Sequence, residues 1–437
     1  MAGARLMVTV DPAAFDRAAE SFALANKVAA QLCTGMEGAL AGYGQMAGDD
    51  KTSDDFAAGY DGAAADTMAA AADLVGALAA LALITSASGA NHRGANNASR
   101  YSKTPPEYTG GQFDPLPDTT VTVGAFTPPS AVGGDDPGTP KFWDMLTDYL
   151  EGWTWPGADV ARLRRAGETW RHFGRMLQTS VSPYLDVAVS ELEGQESPEV
   201  GTATSVTRGL LLEIEQFKVH CEDLGNACDD YATQVEAVRE TVRGILEDLA
   251  VEIGITAVIA GVGSLFTAGG AGAAGGVVAG WRLAAAARKV IGAFTAMKAV
   301  VRAAAVVRLT RVAGKVPILA RRFRRISDAA NRAKHEKFLV ELRREMGRPS
   351  TKDPDLTKLM RENYRDNAQV GSGSTAAAVR HELATGQPVG GAFHSQKAQE
   401  MIGRLEKWLR NHPDASPGDR AAAENVIKDL QDALSGK

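Results

Sequence analysis

Apolar residues recur at three- and four-residue intervals over 11–46, with Asp11-Pro12 at the front, and this spacing predicts an amphipathic helix with an acidic start. The segment MAGDD (46–50) breaks the pattern. A second helix is predicted over about 53–87, through TMAAAADLVGALAALALI, so the two make an antiparallel helical hairpin. Residues 88–140 are rich in Pro, Gly, Ser and Asn, which predicts a long loop with one short strand at TTVTV (119–123). Helical periodicity resumes at Phe142, where Trp143, Trp153, Trp155 and Trp170 cluster. Pro156 stands where a helix would begin, with Asp159 in its first turn. Residues 158–195 and 203–250 then predict two long amphipathic helices. The fold class is all-α and multi-domain.

The pattern changes again at residue 253. Residues 253–281 carry no charge over 29 positions and hold nine glycines, the last being Gly280. That length crosses a bilayer core, and the small residues permit close helix contact in lipid. A soluble glycine hinge fits the same composition. Residues 282–348 form a basic helical region around RRFRRISDAANRAKHEKFLVELRREMGR. It suits anionic lipid or RNA phosphates, or it shields acidic helices within the same molecule. From Pro349-Ser350 a small separate domain follows, with two glycine-bearing loops and amphipathic helices over 395–410 and 417–434. Ser416-Pro417-Gly418-Asp419 is a helix-start signature.

Charge sharpens this division. The net charge is −6, but residues 1–252 hold 17 basic against 37 acidic residues, and 282–350 hold 18 against 4. Residues 351–437 are balanced, with 12 of each. Such blocks separate an acidic region over 1–250, a translocation or linker segment over 251–348, and a terminal domain over 349–437. Three cysteines, Cys33, Cys221 and Cys228, are too few for a disulfide scaffold or a four-thiolate zinc site. Cys221 and Cys228 share one helical face about 10 Å apart, beyond disulfide reach, and read as buried thiols. The apolar run after Arg5 is too short for a secretion signal core.

The candidate chemistry lies near the end of the chain. Gly371-Ser372-Gly373-Ser374-Thr375 precedes a helix bearing Arg380, His381 and Glu382. Gly390-Gly391 then lead into Phe393-His394-Ser395-Gln396-Lys397. Two glycine loops delivering polar side chains to helix N-termini form an anion-receptive arrangement. RNA cleavage without a metal needs a base for the ribose 2′-OH, an acid for the leaving 5′ oxygen and cations for the phosphorane. His394 suits acid or base work near neutral pH. Lys397 and Arg380 suit phosphate, and Glu382 serves as the second proton carrier or orients His394. Ser374, Thr375, Gln396 and His381 are substrate-binding candidates, although Arg380 and His381, as helix neighbours, diverge by about 100°. Each also has an ordinary reading: a loop histidine bonded to backbone, a solvated lysine, a surface Arg–Glu pair. His412 and Asn411 read as turn residues. Phosphate-loop, HExxH and GxSxG motifs are absent, no dinucleotide-binding GxGxxG is placed between a strand and a helix, and neither a metal site nor a cofactor is expected.

Two stretches resemble known families. GYGQMAGDD, FAAGYDGAAADTMAAAADLVGALAALA and FWDMLTDYLEGWTWPGADVARLRRAGETWR resemble the WXG-like helical N-terminal region of actinobacterial toxins exported by type VII secretion. That group includes a mycobacterial channel protein bearing an NAD-hydrolysing necrotizing toxin. The resemblance implies secretion with type VII machinery or small WXG-like helper proteins as partners. The strict Tyr-x-x-x-Asp/Glu export tag is missing; the nearest spacing is Tyr231 with Glu236. VGSGST, VRHELATG, VGGAFHSQK, LEKWL and DRAAAENVIKDLQDAL resemble an all-helical RNase domain of bacterial polymorphic toxins, found also at the tips of contact-dependent inhibition proteins. That resemblance implies a tRNA-directed ribonuclease, a cognate immunity protein, and in some members help from elongation factor Tu. The alternatives are a membrane-active pore former built on 253–345, or a non-catalytic type VII structural protein.

Overall fold

Helix α1, Pro12–Leu40, begins where Asp11 turns its carboxylate onto the Ala13 N–H and Pro12 supplies a helical φ. In the computed structural model, residues 10–99, 120–134, 138–252, 273–344, 348–365 and 370–436 are described. Among them the architecture is all-α, with isolated β-bridges but no strand. Helix α1 stops at Leu40, short of the predicted 46, because Met46 and Ala47 leave the helix to bury in the core. The backbone there pairs with an incoming segment: Gln45, Ala47 and Gly48 donate to the carbonyls of Ser130, Ala131 and Gly133.

Helix α2, Asp54–Ser99, runs twelve residues past its expected end, through composition that predicts a loop. Tertiary contact overrides local propensity here. Thr85, Ser86 and Ala87 are buried, and Gly89 lies close against Phe15. The His92 ring sits 5.0 Å from that of Phe15, and its Nε2 is 2.6 Å from Glu199. The predicted strand at 119–123 does not form over 120–123; residue 119 lies outside the described residues. Instead Val121 pairs with a side chain: its N–H donates to Asn26 Oδ1 at 2.7 Å, and its carbonyl accepts from Asn26 Nδ2 at 3.0 Å.

Helices α3, Val160–Glu193, and α4, Pro198–Glu252, lie side by side. Asp159 proves to be the N-cap of α3, accepting from the Arg162 N–H at 2.8 Å. The helices meet through glycine. A Cβ built on Gly167 would stand 2.7 Å from the Gly225 carbonyl, and one on Gly174 would stand 2.7 Å from Cys221 Cβ. Cys221 and Cys228 therefore face glycines, with both thiols free and fully buried. Burial pushes the Cys33 thiol up to about 12 and the other two higher still. A thiol reagent is accordingly expected to label none of the three cysteines in the native chain and all three after denaturation, as counted by mass shift.

The tryptophan cluster fixes the next layer. Helices α5, Ala273–Val301, and α6, Val307–Arg344, continue one another through a π-helical turn at Arg302–Val306. Trp153 stacks on Phe294 of α5 at 5.6 Å, and Trp143 meets Trp155 edge-on at 5.5 Å. Met297, Leu309, Val312, Val316 and Phe323 bury in the same core as α1–α4. Cations of the basic segment pair with acids of the N-terminal helices. Arg308 reaches Asp230 at 3.0 Å, and Arg311 reaches the largely buried Asp223 at 3.3 Å. Arg302 meets Asp55, Arg322 meets Glu213 and Arg324 meets Asp73. This part of the basic region thus shields acidic helices inside its own molecule. Asp54–Arg93 and Gly280–Arg332 are long and apolar enough to span a bilayer, and 61% of the apolar window of the first is buried in the bundle. Of the uncharged stretch expected to touch a membrane, residues 253–272 lie outside the described residues.

A second hydrophobic cluster gathers helices α7, Pro354–Asn363; α8, Thr375–Thr385; α9, Ser395–Asn411; and α10, Pro417–Leu434. Leu356, Met360, Val379, Met401, Leu405, Trp408 and Leu430 form its centre. Asp353, Ser374 and Ser416 cap α7, α8 and α10 with their side-chain oxygens. Asp419 closes the unit by accepting from the N–H groups of Lys352 and Asp353 at 2.8 and 3.1 Å.

Candidate active site

Helix α9 starts without a side-chain cap on its own N–H groups, because its N-cap residue, His394, turns elsewhere. A turn delivers it. Gly386 ends α8 in the left-handed region at φ 70°, and Val389 and Ala392 bridge across Gly390 and Gly391, both at positive φ (62° and 86°). Two consecutive positive φ values form the tight primed turn that glycine permits. The returning chain passes over buried Glu382, whose carboxylate accepts three N–H groups. They are His394 Nδ1 at 2.6 Å, the His394 backbone at 2.7 Å and the Val389 backbone at 3.2 Å. Burial opposes the charge of Glu382, yet these bonds hold its pKa below the ordinary carboxylate value. An ionised carboxylate only accepts, so Nδ1 of His394 is the protonated nitrogen facing it, and in the neutral ring Nε2 is the acceptor.

His394 lines a cavity of about 200 Å³ between the N-termini of α8 and α9 and the C-terminal end of α7. Its other polar walls are Asn363, Arg365, Ser374, Thr375 and Lys397, and among the described residues no carboxylate lines it. Burial and the nearby charge of Arg365 lower the pKa of Lys397, with Glu362 pulling the other way. Two mutually repelling cations, a histidine and helix N-termini make a wall suited to an anion.

Five of the eight residues singled out in the sequence therefore meet at one place: Glu382, His394, Lys397, Ser374 and Thr375. Ser374 caps α8 through the Ala377 N–H, and Thr375 donates to the Asn363 carbonyl at 3.2 Å. Three do not join them. Arg380, expected to hold phosphate, points to α10 and binds buried Asp429 at 2.7 Å, because a half-buried guanidinium needs a paired acid. Gln396 is exposed and donates to Glu400 one turn on, and His381 does not line the cavity. Arg365 takes the cationic place expected of Arg380. Neither Arg365 nor Asn363 lies in a glycine motif; the bridge between Tyr364 and Ser374 and the Thr375 bond to the Asn363 carbonyl bring them to the site.

With this geometry in place, the likeness to known proteins divides along the chain. Residues 133–290, just over a third of it, match the family model described as WXG100 like domain. The outer membrane channel protein CpnT of Mycobacterium tuberculosis, and that of Mycobacterium bovis, are 30% identical over 241 residues. Those residues are 55% of this chain and 27% of each relative. Mav of Mycobacterium avium, named as an NAD(+)–arginine ADP-ribosyltransferase, is 31% identical over 43% of this chain and 22% of its own. The chain spans about a quarter of the length of the curated relatives it matches. No solved structure matches it.

Proposed function

We propose that this chain is a secreted toxin in which the N-terminal helical region serves type VII export and the C-terminal helical unit, residues 349–437, cuts RNA without a metal. The observation that carries the reading is the buried Glu382–His394 pair opening onto a cavity walled by Arg365 and Lys397. The WXG100-like match and the kinship with CpnT and Mav, whose names denote a channel and an enzyme, support the export half.

In this mechanism a ribose 2′-OH gives its proton to His394 Nε2, and the resulting imidazolium is stabilised by Glu382. The freed oxygen attacks the adjacent phosphorus, and the charge on the phosphorane falls to Arg365, Lys397 and the helix N-termini. The 5′ oxygen leaves with a proton from Lys397, whose lowered pKa suits donation. The products are a 2′,3′-cyclic phosphate and a 5′-hydroxyl. Transfer RNA is the substrate, a cognate immunity protein covers the cavity, and elongation factor Tu assists in presenting the RNA. A second reading, a membrane-active or translocating toxin, draws on the apolar window within the helical run Gly280–Arg332 and on the name of the channel relative.

The full chain incubated with total tRNA, with and without EDTA, tests the main reading. Fragments ending in cyclic phosphate are expected in both conditions. Intact tRNA throughout, including with elongation factor Tu added, would overturn it.

A further inference from the structure

One wall of the cavity carries an unexplained pair of polar atoms. Asn363 is only 2% exposed, and both its Nδ2 and its Oδ1 are buried without a hydrogen-bond partner. A buried amide left unpaired loses hydration twice over, once for the donor and once for the acceptor. Native proteins keep few such groups, and those they keep call for an explanation. Asn363 lines the cavity. Neither amide atom meets a protein partner within hydrogen-bond reach, and the cavity is the open space that the residue borders. Its position is well fixed: it is the last residue of α7, and its carbonyl is held by the Thr375 hydroxyl.

We propose that the Asn363 amide reads the edge of the nucleobase next to the scissile phosphate. The ligand is an adenine ribonucleotide, whose N6 donor and N7 acceptor fit an asparagine amide, while Arg365 and Lys397 hold its phosphate. A planar amide offers one donor and one acceptor at the spacing that bidentate base recognition uses. This rests on the RNase reading and adds base selectivity to it. Asn363 is a specificity-determining residue, separate from the proton-transfer pair.

The test measures binding of inorganic phosphate and of the four nucleoside 3′-monophosphates to the full chain by calorimetry, with Asn363→Leu and Asn363→Ser beside the wild type. None of these probes can be cleaved. The adenine nucleotide is expected to bind about 10-fold or more tightly than the others, the discrimination of one good bidentate pair. Both variants are expected to flatten that preference to within about twofold and to leave phosphate affinity unchanged. Asn363→Leu should also hold or raise Tm, since an apolar group of similar shape replaces an unpaired amide. The inference is overturned if the variants keep the wild-type preference, if the adenine nucleotide fails to outbind phosphate and the other three, or if Asn363→Leu lowers Tm and so exposes a structural partner. Phosphate binding without base preference defeats this inference alone. Absent phosphate binding together with intact tRNA defeats the RNase reading and this inference with it.

Discussion

Changing Glu382 to glutamine is expected to slow tRNA cleavage by about 10²- to 10⁴-fold, the range seen when a general base is lost or held in the wrong tautomer. The carboxylate receives three N–H donors at once, two from His394 and one from Val389. Glutamine keeps one acceptor oxygen and turns its NH₂ toward a donor, so either the imidazole tautomer or the turn over 387–394 gives way. His394→Ala should reduce cleavage as far, and the double variant no further, since the two act as a unit. Initial rates on a single purified tRNA would check all three. A double variant clearly slower than His394→Ala would place Glu382 in a separate catalytic role.

The same carboxylate carries a pH signature. Its pKa is lower in the folded chain than its ordinary value of 4.5, so its contribution to stability is fully present above that value. The contribution fades as the pH falls through the folded-state value. Asp353, lowered chiefly by the Leu356 N–H it caps, acts in the same direction. Acidification from neutrality to about pH 3 is therefore expected to lower the denaturation midpoint of the C-terminal unit, and Glu382→Gln should reduce that dependence.

Gly225→Ala is expected to be the most disruptive one-carbon change in the N-terminal bundle. Its Cβ would stand 2.5 Å from the Gly167 carbonyl and 2.8 Å from Arg171 Cγ. A backbone oxygen cannot swing aside as a side chain can, so α3 and α4 have to separate along a contact that buries Trp170, Phe173, Phe217 and Leu224. Overpacking of this kind costs about 1–3 kcal/mol or more, against about 1 kcal/mol gained from replacing a helical glycine. Gly244→Ala, also in α4, meets nothing within 4 Å and should stabilise by up to about 1 kcal/mol. Thermal melts of the two variants should shift in opposite directions. A melt of Gly225→Ala at or above the wild type would show that the helices are not locked through their glycines.

The contrast between these glycines marks how much was legible beforehand. Gly167, Gly225 and Gly244 all sit in helical patterns, and nothing local distinguishes them. Helix starts were legible, because capping is local: Asp11-Pro12 and Ser416-Pro417 stand in the sequence beside the N–H groups they serve. The site was half legible. Glycine turns beside His394 and Lys397 pointed to an anion-receptive site, while Arg380 was the arginine singled out and Arg365, which lines the cavity, was not.

The chain by itself determined the helical class, the segregation of acid from base and the loops that carry His394, since each follows from residues within a few positions of one another. Tertiary structure alone decided that α2 runs on to Ser99, that Arg380 belongs to Asp429 forty-nine residues away, and that Asn363 is left unpaired at a cavity wall. Periodicity specifies which face of a helix is buried. Which distant group a buried polar side chain will meet depends on how those faces pack, and that geometry has no local signature.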